Sequence, residues 1–276
     1  MKDWTIYLYS ILLLAAVSCG NAASQENEKA DVLIKTDFGE IKIKLYDKTA
    51  GHKKNFEKLA GEGLYDGTSF HRVINHFMIQ GGDLALRPGG KEKATENNKQ
   101  NLTIPAEFVP EYYHKRGAVA AARRGDQVNP EKQSSATQFY IVQGVVFSHG
   151  QLDTMEITRT RHIRNELVKE YMANINDELQ NYRENNDQQS FALRVAEIRE
   201  RADSVIAAQN LAFKFTDEQR EIYTTIGGTP HLDGEYTVFG EVVDGMEVVD
   251  KIATVETNTS DRPLKDVKME IKLVKK

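Results

Sequence analysis

Apolar and polar residues alternate through residues 31–46, DVLIKTDFGEIKIKLY, on both sides of Asp37-Phe38-Gly39. Ile41, Ile43 and Leu45 share one face, and Leu33 alone departs from the pattern. The alternation predicts a β-hairpin with one buried side. In GHKKNFEKLAGEG the period changes: Phe56, Leu59 and Ala60 recur at helical spacing and glycines follow, so a short helix is expected. Short apolar runs return at 117–122, 138–142 and 236–243, and 267–274 alternates again. Short strands separated by turn residues predict a mainly β chain with an antiparallel sheet closed on itself.

One stretch breaks this style. No proline occurs between Pro130 and Pro230. Ile163, Leu167, Tyr171, Ile175, Leu179 and Tyr182 recur every three or four residues, as do Phe191, Val195, Ile198, Ala202 and Val205. Both stripes predict amphipathic helices. The polar run 183–189, RENNDQQ, lies between them, so a helical hairpin is expected. Thr216 with Gln219 resembles a capping box, opening a third helix that ends at Gly227-Gly228. The helical block is placed at 151–226.

Composition adds limits. The chain has 276 residues, 40% of them hydrophobic and 28% charged, with a net charge of −5. That balance is globular, and its sign, with no basic run, argues against a nucleic-acid partner. One cysteine forbids an intrachain disulfide. That cysteine follows an apolar run from Ile6 to Val17, too short to span a bilayer and suited to a signal segment. The run ends Ala16-Val17-Ser18-Cys19-Gly20, which resembles a bacterial lipobox. The expectation is a signal peptide at 1–18, lipidation of Cys19, and a polar tether at 19–30 that joins the membrane to a domain at 31–275.

The run FHRVINHFMIQGGD, residues 70–83, reads as an apolar strand with Arg72 inside it. On its own, the plain explanation is a strand with one wet face. The other chemistry is sparse. None of the seven histidines forms an H-E-x-x-H pair, and neither a G-x-S-x-G elbow nor a P-loop occurs. Gly61, Gly63 and Gly67 have the wrong spacing for a dinucleotide loop. Ser134-Ser135 reads as a polar turn. No metal or cofactor site is expected.

FHRVINHFMIQGGD resembles the signature of the cyclophilins, the peptidyl-prolyl cis/trans isomerases. GAVAAAR (117–123), TQFYIV (137–142) and HLDGEYTVFGEV (231–242) resemble further blocks of that family, in family order. The resemblance covers about 31–144 and 227–275 and implies an eight-stranded antiparallel barrel closed by helices, here carrying an inserted helical hairpin. It implies a groove on the outer wall, with Phe77, Met78, Tyr140 and Leu232 lining a proline pocket and Arg72 over it. By the same resemblance Arg72 and Gln80 are catalytic. Ala122, Arg123, Gln138 and Tyr236 would bind the peptide, Ala122 and Arg123 through backbone groups that align it as an added strand.

Four positions depart from the eukaryotic pattern: Tyr140 for Phe, Tyr236 for His, Arg123 for Asn and His231 for Trp. They bear on cyclosporin affinity more than on activity. His71 matches the family histidine, with a structural role expected. The expected function is isomerisation of X-Pro bonds in polypeptide clients in a bacterial cell envelope, with the chain lipid-anchored, facing the periplasm, at the inner or the outer membrane. The alternative is a cyclophilin-fold holdase or binding module that works through a protein-partner site on the helical block.

Overall fold

A computed structural model describes residues 29–87 and 102–274. The expected signal peptide and Cys19 lie outside them. The alternating segments are strands: β1 (Val32–Thr36), β2 (Gly39–Leu45), β3 (Thr68–Phe70), β4 (Arg72–Ile74), β5 (Met78–Gly81), β6 (Thr103–Ile104), β7 (Ala118–Ala121), β8 (Ser134–Ser135), β9 (Phe139–Val142), β10 (Val238–Asp244) and β11 (Val267–Leu273). Nine of these form one antiparallel sheet in the order β3-β11-β1-β2-β10-β7-β9-β5-β4, and β6 pairs with β8.

The ends of that order explain the closure. β3 and β4 are two halves of one run, broken at His71. The first half pairs with β11 and the second with β5. The run therefore bridges the two ends of the sheet and nearly closes a barrel. Counted as one kinked strand, it gives the eight expected from the sequence. The His71 N–H still donates to Gln80 O at 2.9 Å across the break.

Inward-facing residues fill the barrel. Val32, Ile34, Ile41 and Ile43 are fully buried, and Val73, Ile79, Val119, Phe139 and Ile141 join them. Helix α1 (Ala50–Gly61) follows β2 and buries Phe56, Leu59 and Ala60. Helix α6 (Met246–Ala253) buries Val248, Val249, Ile252 and Ala253 beside the β1–β2 turn, where Val248 lies against Gly39. Each buried valine or isoleucine contributes about 1.5–3 kcal/mol. The sequence reading passed over α6, because eight residues are too few for its period to stand out.

The helical block lies between β9 and β10. It comprises α2 (His149–Asn174), α3 (Asn176–Glu184), α4 (Gln188–Ala208) and α5 (Asp217–Thr225). The first predicted stripe is two helices rather than one. Ile175 adopts φ −122°, ψ 25° between Asn174 and Asn176, two weak helix formers. The turn falls at 185–187, as RENNDQQ suggested, and the capping box at Thr216 and Gln219 is present. Leu179, Ile198, Ala202 and Ile206 are buried, and Arg164 grips Asp203 with two bonds at 2.5 and 2.7 Å. Buried Glu156 accepts from Lys214, from the Phe215 N–H and from Arg220, tying α2 to α5.

The block enters and leaves at one point. Val145 and Lys115 both bridge to Gly228. Gly228 has φ +151°, and a Cβ there would sit 2.2 Å from His114 O. A side chain does not fit, so glycine is required where the chain returns to the barrel.

Candidate active site

The β4–β5 ladder sets Arg72 opposite Gln80, Val73 opposite Ile79 and Ile74 opposite Met78. Opposite residues share a face and successive ones alternate. Val73 and Ile79 point into the barrel. Arg72, Ile74, Met78 and Gln80 point outward, onto a second apolar cluster built from Met78, Ala118, Ala120, Tyr140, Val142 and Val238, with Phe77, Leu232 and Tyr236 packed on it. The run is rich in apolar residues because one face of it enters the barrel core and part of the other covers the outer cluster. Arg72 sits at the rim of the outer cluster with its side chain 43% exposed, so it faces solvent and the pocket together.

A pocket of about 110 Å³ opens there, lined by Arg72, Phe77, Met78, Gln80, Ala122, Arg123, Tyr140, Leu232 and Tyr236. Nine of the ten groove residues named from the sequence are these nine. Gln138 is the tenth. It stands behind the pocket, where its Oε1 accepts from Gln80 Nε2 at 3.1 Å, and it lines an adjoining cleft of about 810 Å³ with Gln80, Ala122 and Arg123. No serine, cysteine or carboxylate lines the small pocket.

Each wall has its own support. Phe77 closes the hairpin loop after His76, whose φ of 65° suits a three-residue turn. The His76 N–H donates to Gln143 Oε1 at 2.5 Å, and the Gln143 and Gly144 N–H groups both donate to Phe77 O at 3.0 Å. Gln143 and Arg116 are in turn fixed on Asp250 of α6 at 3.2 and 2.5 Å. Arg72 Nε reaches Asp261 Oδ2 at 3.3 Å, with both side chains part exposed. Arg123 is a wall and not a free cation. Its side chain is 5% exposed, bonded to Glu235 and Asp126, and its guanidinium lies 4.7 Å over the Tyr236 ring.

Tyr140 forms the floor, edge-on to Tyr236 at 5.8 Å. Its hydroxyl, the feature that a phenylalanine would lack, bonds His114 Nε2 at 3.0 Å. Burial pushes the Tyr140 pKa well above its ordinary value, so the phenol stays protonated. His231 stacks on Phe77 at 5.6 Å, and desolvation, then His114, lower its pKa. His71 lies outside the pocket. Its Nδ1 is buried without a partner, and burial lowers its pKa.

Sequence reasoning missed His114, Asp233, Gln143 and Asp261. Asp233 lies inside the HLDGEYTVFGEV block, which was the one signal available. The others act through contacts between residues far apart in the chain, such as the 119 positions between His114 and Asp233.

A nearly closed antiparallel barrel with an arginine-rimmed pocket on its outer wall defines the class: a β-barrel whose candidate site lies outside the core. The family model of cyclophilin type peptidyl-prolyl cis-trans isomerase/CLD matches residues 31–163 and 153–272, and the chain belongs to this family. It is 31% identical over 243 residues to a Streptococcus pyogenes protein named as a bifunctional phosphatase/peptidyl-prolyl cis-trans isomerase. That match covers 87% of this chain but 37% of the relative's length. A Staphylococcus epidermidis protein named as a peptidyl-prolyl cis-trans isomerase is 28% identical over 251 residues, covering 91% of this chain and 93% of its own. A Cryptosporidium parvum cyclophilin crystal structure shares the fold, with a TM-score of 0.50 and 19% identity, covering 90% of this chain and 98% of its own.

Proposed function

We propose that this cyclophilin-type isomerase turns X-Pro bonds of polypeptide clients in the cell envelope, with Arg72 as the group that lowers the barrier. Amide resonance opposes rotation by about 18–20 kcal/mol. In the twisted transition state that resonance is lost and the proline nitrogen becomes pyramidal and a hydrogen-bond acceptor. A guanidinium that bonds this nitrogen favours the twisted state over both planar ones. The Arg72 Nε is directed at Asp261, which leaves the terminal nitrogens for the substrate. Gln80 spends one amide hydrogen on Gln138, and its second can hold the carbonyl before proline. Phe77, Met78, Tyr140 and Leu232 receive the proline ring, and Ala122 and Arg123 align the peptide by their backbones.

The carrying observation is the cross-strand pair Arg72 and Gln80 at the pocket rim. The test is turnover of an X-Pro peptide by Arg72→Ala. Loss of one transition-state hydrogen bond costs about 2.7–4 kcal/mol by analogy with oxyanion donors. A folded Arg72→Ala protein with wild-type turnover would sink the mechanism.

The location is read from the N-terminal signal pattern and Cys19: lipidation, a membrane anchor and an outlook on the periplasm. No helix among the described residues is long and apolar enough to cross a membrane. The helical block is read as an insertion, which its entry and exit at the single Val145–Gly228 bridge support. A second reading makes this block the working part of a holdase, with exposed Ile157 and Leu193 as contacts for clients.

A further inference from the structure

Asp233 collects four donors. His114 gives its backbone N–H at 2.8 Å and its Nδ1 at 3.0 Å to Oδ1. Tyr223 Oη at 2.6 Å and Gln219 Nε2 at 3.4 Å approach Oδ2. Tyr223 and Gln219 belong to α5, the last helix of the block. On its other side His114 places Nε2 3.0 Å from Tyr140 Oη. The carboxylate only accepts, so the imidazole hydrogen sits on Nδ1, and Nε2 is then the acceptor for the Tyr140 hydroxyl. The chain Tyr223–Asp233–His114–Tyr140 thus has a defined sense and runs from the helical block to the pocket floor. His114 and Tyr223 are fully buried, and Tyr140 is 4% exposed. In so dry a place each bond is strong, and each leaves an unsatisfied partner when broken.

We propose that Tyr223 is a positioning residue for the isomerase: through Asp233 and His114 it holds the Tyr140 hydroxyl out of the proline slot. The inference rests on the Arg72–Gln80 pocket being the catalytic one. Tyr140 bears on Tyr236, and Tyr236 bears on Arg123, so a floor ring that tips moves the whole outer wall. A hydroxyl released from His114 turns a polar atom into an apolar slot, which weakens binding of the proline ring. The effect falls on KM more than on kcat, because Arg72 and Gln80 are untouched.

Tyr140→Phe supplies the discriminating background, since it removes the hydroxyl and the need for the tether together. Turnover of an X-Pro peptide and thermal melting are measured on the whole chain with Tyr223→Phe, Tyr140→Phe and the pair. In the wild-type background Tyr223→Phe should lower kcat/KM about three- to tenfold, the worth of one hydrogen bond. In the Tyr140→Phe background that loss should shrink below about twofold, while the loss of melting temperature persists in both. Equal catalytic losses in the two backgrounds overturn the inference, because Tyr223 is then only structural. No catalytic loss from Tyr223→Phe also overturns it. Asp233→Asn, of the same size, is read by the same cycle if Tyr223→Phe does not fold. Arg72→Ala is run alongside. Full activity there removes the pocket reading and this inference with it, whereas an inactive Arg72→Ala beside an unaffected Tyr223→Phe defeats this inference alone.

Discussion

Arg72 and Gln80 face each other across the β4–β5 ladder, so one hairpin carries both groups proposed to act on the substrate. Their spacing is set by the sheet and not by a loop, which keeps the guanidinium in register with the amide. Arg72→Lys separates charge from geometry. Lysine keeps the charge but loses the planar fork. If the fork does the work, kcat/KM should fall about a hundredfold, near the effect of losing an oxyanion donor, with circular dichroism unchanged. Near-wild-type turnover in Arg72→Lys would show that a point charge suffices.

The pH profile should be flat where many enzymes bend. His71 and His231 are both held below the ordinary histidine range, chiefly by burial and desolvation. Arg72 and Gln80 do not change charge near neutrality. We expect kcat/KM to be constant from about pH 6.5 to 8.5, measured with a peptide that does not titrate. A steep step in that window, with the fold intact, would place an acid or base in the reaction.

Stability should respond to acid before activity does. Burial lowers the pKa of His52 and His71, so the unfolded chain binds protons first as pH falls. Their contribution is complete above about pH 6.5 and declines below it. Glu107 follows lower down. Burial opposes its ionisation, but bonds from His52 and Gly51 outweigh that and depress its pKa, so its contribution is lost as pH falls below about 4.3. Thermal melts from about pH 8 to about pH 3 should therefore decline in two stages. Melting that is constant down to pH 5 would contradict the histidine part.

The strands β1, β2 and β11 were legible because each shows one buried face. Ile41, Ile43 and Leu45 alternate in sequence and are buried in the structure. The run around Arg72 defeated periodicity, because in β5 both Met78 and Ile79 are buried, one against the second apolar cluster and one in the barrel core. The β3–β4 break was invisible, since closure depends on β11, nearly two hundred residues away. The split at Ile175 was hidden for another reason: the apolar stripe continues through it while the backbone does not. Tyr140 was placed in the pocket by the family resemblance, but nothing local in sequence says that its hydroxyl meets His114.

Cys19→Ser should release the protein from membranes. Each buried methylene of an acyl chain contributes about 0.8 kcal/mol, so a multiply acylated cysteine anchors stably and a serine does not. Fractionation of cells that express both forms checks this. Membrane retention of a correctly processed Cys19→Ser protein would mean a different anchor.

The helical block should be removable without loss of the fold, but not without cost. Its two ends meet at the Val145–Gly228 bridge, so joining Gly150 to Gly227 by a short Gly/Ser linker spans little distance. The loop becomes shorter, and its closure cost changes only slowly with length. The block's own contacts, such as Arg164 with Asp203 and buried Ile198 and Ala202, leave with it. What the barrel loses is the cover that Leu152, Phe215 and Tyr223 give to Tyr113 and Phe147, together with the Tyr223 and Gln219 bonds to Asp233. The shortened protein should therefore melt lower and bind a hydrophobic dye more strongly. Its turnover of a short X-Pro peptide should fall about three- to tenfold and not vanish, because all ten groove residues remain and only the Tyr223 and Gln219 bonds that tether Asp233 are lost. Adding Tyr140→Phe to the shortened protein should restore most of that loss. Complete loss of turnover in a soluble, folded variant would make the block part of the catalytic groove itself. Unchanged peptide turnover with impaired refolding of large proline-containing clients would instead assign the block to client binding.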